Sequence, residues 1–423
     1  MTPSGEGSNR VEIVTIGDEL LLGFTVDTNA AYLARRLADV GVGVARRATV
    51  GDDPAVIASA VGEALSRTGA VITTGGLGPT GDDRTKPAIA ALFGRGMHTD
   101  ADHLAWMRQR WLDRFARPMP ESNVNQAMIP DGSTKLANAH GSAPGVWIED
   151  DAGRWVAMLP GVPREMRGML DDVLLPRVQA RATGQTVVRS RTLRTTGVAE
   201  SLLADWIEAA PAAADLPGLA YLPSVDGVDL RVTVRGLSAQ EADVRLAAAM
   251  ASLRDVVGAA AYGQDDADLA AVVVDRCRER GLSIAVAESC TGGLLGARLT
   301  AHAGASDVIR GGVIAYHDEV KVGLLGVDPA VIGLHGAVSE PVVRQMAAGV
   351  RRVTGASIGL GITGIAGPGG GTTEKPVGTV WIAVDGLERV ETRLLRLWGD
   401  RKEIRRRAAQ SVLDVLRRSL VGT

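Results

Sequence analysis

The chain has 423 residues, a formal net charge of -3 at pH 7 and only two cysteines. A length of this order predicts two or three domains, each able to bury its own core. The charge is spread over both halves, which excludes a large basic face of the kind that binds nucleic acid or an acidic membrane. Two cysteines cannot make a disulfide framework, and no apolar run resembles a signal peptide or a membrane span. These features indicate a soluble protein of the reducing cytoplasm.

Predicted strands alternate with amphipathic helices along the first part of the chain. They follow a polar, Gly/Ser-rich segment, residues 1–10, which we expect to be a disordered tail. The first predicted strands are residues 11–16, 43–50 and 70–73. This alternation predicts a three-layer α/β domain with a mostly parallel sheet over residues 11–182, and ligands bind such sheets at the carboxyl ends of the strands.

The third of these strands ends in a glycine loop, Thr74-Gly75-Gly76-Leu77-Gly78-Pro79-Thr80, which is followed by Gly81-Asp82-Asp83-Arg84-Thr85. The glycines formally match a dinucleotide fingerprint, but the proline and the two aspartates would disfavour a bare pyrophosphate. A phosphate cradled by the loop and met by Asp82 and Asp83 through a divalent ion is the more consistent chemistry. The alternative is a tight turn whose aspartates only cap a helix. The predicted phosphate-loop residues are Gly75, Gly76, Gly78 and Thr80.

Two later motifs are also turns that contain glycine and proline: Ser142-Ala143-Pro144-Gly145 and Leu159-Pro160-Gly161-Val162-Pro163-Arg164-Glu165-Met166. Glu165 either lines the same cleft as the aspartates or is a first-turn acid favoured by the helix dipole. Together with the glycine loop, these motifs resemble the molybdopterin-binding-type domain of the competence/damage-inducible CinA family. The resemblance implies a metal-dependent ADP-ribose pyrophosphatase that releases AMP and ribose 5-phosphate, with magnesium or a similar ion. By this resemblance Asp83 is the leading metal or catalytic candidate, Asp82 follows, and Asp18 is the next acidic group.

Residues 187–262 change character and predict a small α+β module of β-α-β-β-α order. Ser238 and Glu241 match a capping box at the start of its long second helix. The module resembles the KH-like middle domain of the CinA family. The GXXG clamp of RNA-binding KH domains is not found between its helices and no basic patch replaces it, so we expect a spacer or dimerisation role without direct nucleic-acid binding.

A third α/β domain is predicted for residues 265–423, and its candidate nucleophile is Ser289. The buried strand Ile284-Ala285-Val286-Ala287 ends in Glu288-Ser289-Cys290-Thr291-Gly292-Gly293, after which a helix begins. Such a turn would hold the serine on rigid backbone and point the unpaired N–H groups of the helix at a ligand. Lys321, beyond a second strand that ends near Tyr316, is the predicted base for Ser289. An ordinary surface lysine is the alternative, and Cys290 is the rival nucleophile.

A second glycine-rich loop, Gly361-Ile362-Thr363-Gly364-Ile365-Ala366-Gly367-Pro368-Gly369-Gly370-Gly371, follows a buried strand. So much glycine at the end of a strand favours close approach of a ligand to the main chain over a floppy surface loop. The last third of the chain resembles the C-terminal domain of the CinA family, which is also found alone as the PncC-type nicotinamide-nucleotide amidohydrolase. The resemblance is carried by the glycine-rich loop and by four further segments: Ala287 to Gly293, Tyr316-x-x-x-x-Lys321, Gly336 to Pro341 and Lys375 to Trp381.

This resemblance implies that nicotinamide mononucleotide is deamidated to nicotinic acid mononucleotide and ammonia, with Ser289 as nucleophile, Lys321 as base and no metal. Tyr316 is expected to orient Lys321 or the amide, and the oxyanion to meet one of the two glycine turns. The phosphate is expected on glycine-loop amides near the hydroxyls of Ser339 and Thr363, and Arg401 could reach it or be solvated. The predicted substrate-binding residues are Thr291, Gly292, Gly293, Ser339, Thr363, Gly364, Gly367 and Arg401.

Two functions of other classes remain open at this stage. The family name suggests a non-catalytic partner in DNA uptake or repair, although no basic stripe or exposed aromatic run supports it. A molybdopterin-handling transferase built on the first glycine loop is the other. The middle module and the apolar helices make a homodimer plausible, and no membrane partner is expected.

Overall fold

The computed structural model describes residues 10–182, 186–210 and 216–420. Two compact units can be separated: one contains the chain to Arg189 with Val234–Val244, and the other contains Ser190–Thr233 with the chain from Arg245 onwards. Most of the predicted tail lies outside the described residues, but Arg10, its last predicted residue, already opens the first strand. None of the described helices is long and apolar enough to cross a membrane.

The first domain is built on a six-stranded sheet of order β2-β1-β3-β8-β7-β6. Its strands, with the separate pair β4 and β5, are β1 (Arg10–Ile16), β2 (Gly43–Val50), β3 (Ala70–Thr74), β4 (Met97–Thr99), β5 (Met128–Pro130), β6 (Thr134–Leu136), β7 (Gly145–Glu149) and β8 (Trp155–Leu159). Its helices are α1 (Asp18–Leu21), α2 (Thr28–Asp39), α3 (Pro54–Thr68), α4 (Thr85–Leu92), α5 (Ala101–Phe115), α6 (Pro163–Met169) and α7 (Leu175–Arg181). β2, β1, β3 and β8 run parallel to one another. β7 pairs antiparallel with β8, and β6 pairs antiparallel with β7.

Both faces of this sheet are covered, which makes the domain three-layered as predicted. One core contains Leu33 and Leu37 of α2 with Met166 and Met169 of α6, and the other contains residues of α3 and α4. Strands buried on both faces read as continuous apolar runs, and β3 and β8 are buried at every position. The prediction of a mostly parallel α/β domain is therefore confirmed.

Lys86, in α4, is buried within the first domain. Its side chain is 3% exposed, and its ammonium donates to the backbone carbonyls of Asn125 and Gln126 at 2.9 and 3.0 Å. Burial lowers the pKa of Lys86 from its ordinary value to about 8, although the charge of Asp83 acts in the opposite direction. The lysine thus joins α4 to the segment before β5, and this segment contributes Gln126 to the cleft described below.

The middle module consists of β9 (Val187–Thr195), α8 (Glu200–Ala209), β10 (Ala220–Pro223), β11 (Val228–Leu237), α9 (Ala239–Val257) and β12 (Ala261–Gln264). The four strands form a sheet of order β10-β11-β9-β12. The predicted capping box is confirmed, because Glu241 accepts from the Ser238 N–H and its own N–H donates to the Ser238 hydroxyl. The last strand, β12, was not predicted. It extends two residues beyond residue 262, the predicted end of the middle module. It pairs with β9, and the Asp265 carboxylate that follows accepts from the Thr192 N–H.

The last domain has a five-stranded sheet of order β14-β13-β15-β16-β17, with β14, β13 and β15 parallel and the other two strands antiparallel. Its strands are β13 (Ile284–Glu288), β14 (Ile309–Ile314), β15 (Ile358–Gly364), β16 (Thr379–Asp385) and β17 (Glu391–Arg396). Its helices are α10 (Leu269–Glu279), α11 (Leu294–Thr300), α12 (Asp318–Gly323), α13 (Pro329–His335), α14 (Glu340–Thr354) and α15 (Arg401–Ser419). Apolar cores on both faces again make an α/β domain, as predicted.

Glu288, the last residue of β13, fixes the turn into α11. Its side chain is 1% exposed, and its carboxylate accepts from the N–H groups of Gly293 and Leu295 at 3.0 Å and of Gly296 at 2.8 Å. The expectation that this helix offers unpaired N–H groups to a ligand is therefore wrong, because a side chain of the same turn already accepts from them.

We predict that Glu288→Ala lowers the free energy of unfolding of the second unit by about 3 kcal/mol, because three N–H groups would lose their acceptor. Urea unfolding measures this change. Glu279→Ala, at the exposed end of α10, is the matched control, and equal stability of the two variants would contradict the capping role.

We predict that the buried charge of Lys86 lowers the free energy of unfolding by an amount that depends on pH. Between its folded pKa of about 8 and its ordinary value the unfolded chain holds a proton that the folded chain lacks, so raising the pH through this window favours the folded chain. The stability of the wild type relative to Lys86→Met should therefore rise by about 2 kcal/mol from about pH 7 to about pH 9.5. Urea unfolding of both proteins at the two pH values checks this, and a difference that does not vary with pH would contradict it.

Candidate functional site

Ser289 directly follows β13 in the last domain, and Lys321 lies in α12, the helix after the neighbouring parallel strand β14. Glu288 is paired with Ile314 of β14 and with Ile362 of β15, and Ser289 follows it directly. The Ser289 N–H donates to Ile362 O at 3.0 Å. The serine side chain is 8% exposed and that of Lys321 only 2%, which excludes an ordinary surface lysine.

The amine of Lys321 is held at the end of β14. It donates to the Asp318 carboxylate at 3.0 Å and lies 3.4 Å from the carbonyl oxygen of Tyr316. Ala315, the residue before that carbonyl, donates to Glu288 O at 2.7 Å, so the amine and the serine belong to adjoining strand ends. Across the described residues no hydrogen bond joins Ser289 Oγ to Lys321 Nζ.

Tyr316 contributes its backbone rather than its side chain to the position of Lys321. The phenol is 59% exposed and accepts from Arg401 at 2.7 Å. Its predicted role in orienting Lys321 is therefore carried by the carbonyl oxygen, because the strand ends just before this residue and turns the ring outwards.

Cys290 is packed behind the turn. Its side chain is 6% exposed and belongs to the apolar core on the α10 and α15 face. Burial raises the pKa of Cys290 to about 12, so the thiol is neutral at physiological pH. A neutral buried thiol is a poor nucleophile, which favours Ser289 over its neighbour.

Some of the backbone N–H groups near Ser289 already donate hydrogen bonds within the protein, and others do not. The Gly292 N–H donates to Ser289 O, and that of Gly293 donates to Glu288, so neither of these predicted donors is available to an oxyanion. In the described part of the chain the N–H groups of Cys290 and Thr291 have no acceptor. The Thr291 hydroxyl is buried and also without a partner, while its carbonyl accepts from Arg405 at 2.6 Å.

The other predicted binding residues border the same strand ends. Thr363 and Ser339 are buried and their hydroxyls donate to the carbonyls of Ala337 and Gly336. The Arg401 guanidinium donates to Gly367 O at 2.6 Å as well as to Tyr316. It therefore ties α15 to the glycine loop, although the Arg401 side chain is also exposed to solvent. Gly364 ends β15, so the first four residues of the predicted glycine loop, residues 361–364, belong to the strand and the loop begins after them.

A separate cleft of about 420 Å³ lies in the first domain, at the carboxyl ends of β1, β3 and β8. Gly75, Gly76 and Gly78 of the glycine loop line it, together with Asp82, Asp83 and Glu165. Its acidic lining is completed by Glu19, Asp27 and Asp52, and no lysine or arginine among the residues that the structure describes is part of it. Three of the four predicted loop residues thus share one cleft with three of the four predicted acids, and Thr80 and Asp18 are not part of its lining.

Within the glycine loop, the N–H groups of Gly76, Leu77 and Gly78 have no partner among the described residues. The Gly75 N–H donates to Leu159 O, and Thr80 donates to Asp83 through its N–H at 2.9 Å and its hydroxyl at 2.5 Å. The two predicted residues Gly75 and Thr80 therefore shape the loop rather than offer donors. Gly75 is required on steric grounds as well, since its φ is +111° and a Cβ would lie 2.1 Å from Ile16 O.

Asp18 is the predicted acid that the cleft does not include. Its carboxylate accepts from the Asp52 N–H, and its own N–H donates to the Asp52 carboxylate at 3.0 Å. Asp52, which sequence reasoning missed, takes its place in the lining. Burial, followed by the charges of Asp18 and Glu19, raises the pKa of Asp52, although the Asp18 N–H acts in the opposite direction. Over the described residues no preformed group of three His, Cys, Asp or Glu could hold a metal.

The carboxylates nevertheless fit a magnesium ion that arrives with a phosphorylated ligand. Magnesium is commonly bound by one or two carboxylates together with substrate phosphates, and it retains water in its remaining positions. Asp82 and Asp83 are placed to supply such oxygens beside the free loop N–H groups.

Three family models match successive parts of the chain. A probable molybdopterin binding domain matches residues 12–180, the damage-inducible protein CinA KH domain matches residues 190–263, and the CinA C-terminal domain matches residues 266–420.

Relatives match over almost the whole length. A CinA-like protein of Gemmatimonas aurantiaca is 61% identical over 411 residues, covering 97% of this chain and 96% of the relative. A CinA-like protein of Frankia casuarinae is 44% identical, with 98% and 96% covered. Among solved structures, the protein CinA with unknown function from Thermoplasma acidophilum is 34% identical over 41% of this chain and 99% of that one, with a TM-score of 0.38. The chain belongs to the CinA family, with a molybdopterin-binding-type domain, a KH domain and a CinA C-terminal domain in that order.

Proposed function

We propose that the last domain hydrolyses the carboxamide of nicotinamide mononucleotide to nicotinic acid mononucleotide and ammonia. The observation that carries this proposal is the buried lysine amine at the strand end that adjoins the buried serine. A serine hydroxyl needs a base, and a lysine withdrawn from water can act as one when its amine is neutral. The substrate is the one implied by the resemblance of the serine, lysine and glycine-loop motifs.

In the proposed mechanism the Ser289 hydroxyl oxygen attacks the carboxamide carbon, and its proton passes to the amine of Lys321. The oxyanion is stabilised by the free N–H groups of Cys290 and Thr291, which follow the nucleophile directly. Collapse of the tetrahedral intermediate breaks the C–N bond, and Lys321 returns the proton to the leaving ammonia. Water then attacks the acyl-serine ester while Lys321 accepts its proton. When the ester bond breaks, Lys321 returns this proton to Ser289 Oγ and the acid product leaves. Asp318 holds the amine in place between these steps.

We also propose that the first domain is a metal-dependent ADP-ribose pyrophosphatase. Three free N–H groups in the glycine loop support binding of a phosphate, and the cleft volume is suited to a ligand of nucleotide size. A magnesium ion held by Asp82 and Asp83 would neutralise charge on the diphosphate and polarise its phosphorus–oxygen bonds. Glu165 and Asp52 line the same cleft, and in this proposal they orient the attacking water.

The amidohydrolase is tested by measuring ammonia released from nicotinamide mononucleotide. We predict that Ser289→Ala and Lys321→Met each lower the rate by about a thousand-fold or more, because each removes a group that acts in the chemical step. Cys290→Ala should keep the rate within about three-fold, because the neighbouring thiol is buried and neutral. Loss of activity in Cys290→Ala with retention in Ser289→Ala would reverse the assignment.

The pyrophosphatase is tested by AMP release from ADP-ribose with magnesium and after its removal by a chelator. We predict that Asp83→Asn lowers the metal-dependent rate by about a hundred-fold or more, since it removes a charged oxygen from the cleft. Asp113→Asn, an exposed acid on α5, is the matched control and should retain the rate. The same Asp83 variant should release ammonia normally, and AMP release by wild type and Asp83→Asn at equal rates would contradict the proposal.

A further inference from the structure

The strap, residues 20–26, consists of the last two residues of α1 and the five residues that follow, and it exposes an unusual amount of apolar surface. Leu21 and Leu22 are 56% and 68% exposed, and Phe24 and Val26 are 82% and 81% exposed. A contiguous group of large apolar side chains in water is characteristic of a binding surface rather than of random surface composition.

The strap forms part of the wall of the acidic cleft. Leu20, Thr25 and Val26 line the same cavity as the glycine loop, and Phe24 immediately precedes Thr25. Val162, on the turn after β8, is also in the lining and 55% exposed. The cleft therefore combines a polar part, where N–H groups are free, with an apolar rim.

Asn29, three residues after the strap, is a buried polar residue of the cleft wall. Its side chain is 8% exposed, and its amide donates to Thr74 Oγ1 at 3.1 Å and to Gly161 O at 2.8 Å. These two bonds use both N–H groups of the amide, and the carbonyl oxygen Oδ1 is buried without a donor in the described part of the chain. This oxygen therefore retains an unused capacity to accept a hydrogen bond.

We propose that the strap binds the planar base of a nucleotide whose phosphates rest on the glycine loop, with Asn29 accepting from a sugar hydroxyl. The inference rests on the proposed function of the first domain and adds the residues that recognise the base. A base matches the apolar rim because its faces are apolar and stack on aromatic side chains regardless of sequence. The continuity of the strap with a cavity of about 420 Å³ favours a small ligand over a second copy of the chain.

Calorimetric titration of the full-length protein with AMP and with ribose 5-phosphate, in a buffer that contains magnesium, tests this role. The two ligands share the phosphorylated sugar and differ in the base. We predict that the wild type binds AMP at least about ten-fold more tightly, and that Phe24→Ala and Val26→Ser each weaken AMP binding by about ten-fold without changing ribose 5-phosphate binding. Phe24→Trp should retain AMP binding, because an indole can also stack.

The matched control is Leu112→Ser, which removes an apolar side chain of α5 that is 50% exposed and lies outside the cleft lining. It should bind both ligands as the wild type does. Wild-type AMP binding that the strap variants leave unchanged would overturn the inference while sparing the proposed pyrophosphatase. Failure of the wild type to bind either ligand would overturn both. A change of oligomeric state in the strap variants, measured by light scattering, would assign the strap to a second copy and would also overturn the inference.

Discussion

The carboxylate of Glu288 holds the candidate amidohydrolase site together. It accepts three N–H groups of the turn and helix that follow it, so the first turn of α11 is anchored to the end of β13. Ser289 lies between these two anchored parts and is fixed further by its bond to β15. Because Glu288 engages the N–H groups of the helix, the donors left free are those of Cys290 and Thr291. One buried side chain thus determines both the position of the nucleophile and the place where negative charge can be accommodated.

The sequence was enough to predict the residues of this site that belong to a recognisable local pattern. It was not enough to predict the residues whose role depends on being buried in the folded domain. An apolar strand followed by serine and glycine was enough to find Ser289, and the family resemblance singled out Lys321. Glu288 was quoted only as part of the motif, since an acid at a strand end is usually assumed to face water. Asp318 was not predicted as part of the site, although it pairs with a lysine that is 2% exposed. The signal that could have found it is its spacing of three residues from that lysine on one helix.

The first domain illustrates the same limit. Periodicity gave its alternating strands and helices, and the glycine loop was located from the turn residues alone. Which acids face the cleft was not predictable, because Asp18 and Asp52 are 34 residues apart and their mutual hydrogen bonds decide which of them turns inwards. β12 was missed for a similar reason. Its four residues contain a glycine and a glutamine, and only pairing with β9 makes them a strand.

The two candidate sites solve different electrostatic problems with the same architecture. Both lie at the carboxyl ends of parallel strands, where turns leave N–H groups free. In the proposed amidohydrolase, charge appears only during reaction on a neutral carboxamide, and fixed N–H groups with one amine are suited to stabilise it. In the proposed pyrophosphatase, the ligand is already anionic, although among the described residues the cleft lining contains six carboxylates and no lysine or arginine. These carboxylates would repel a bare phosphate, and a cation that enters with the phosphate would reduce the repulsion. The proposed metal dependence of the first domain is thus consistent with the charges of its lining.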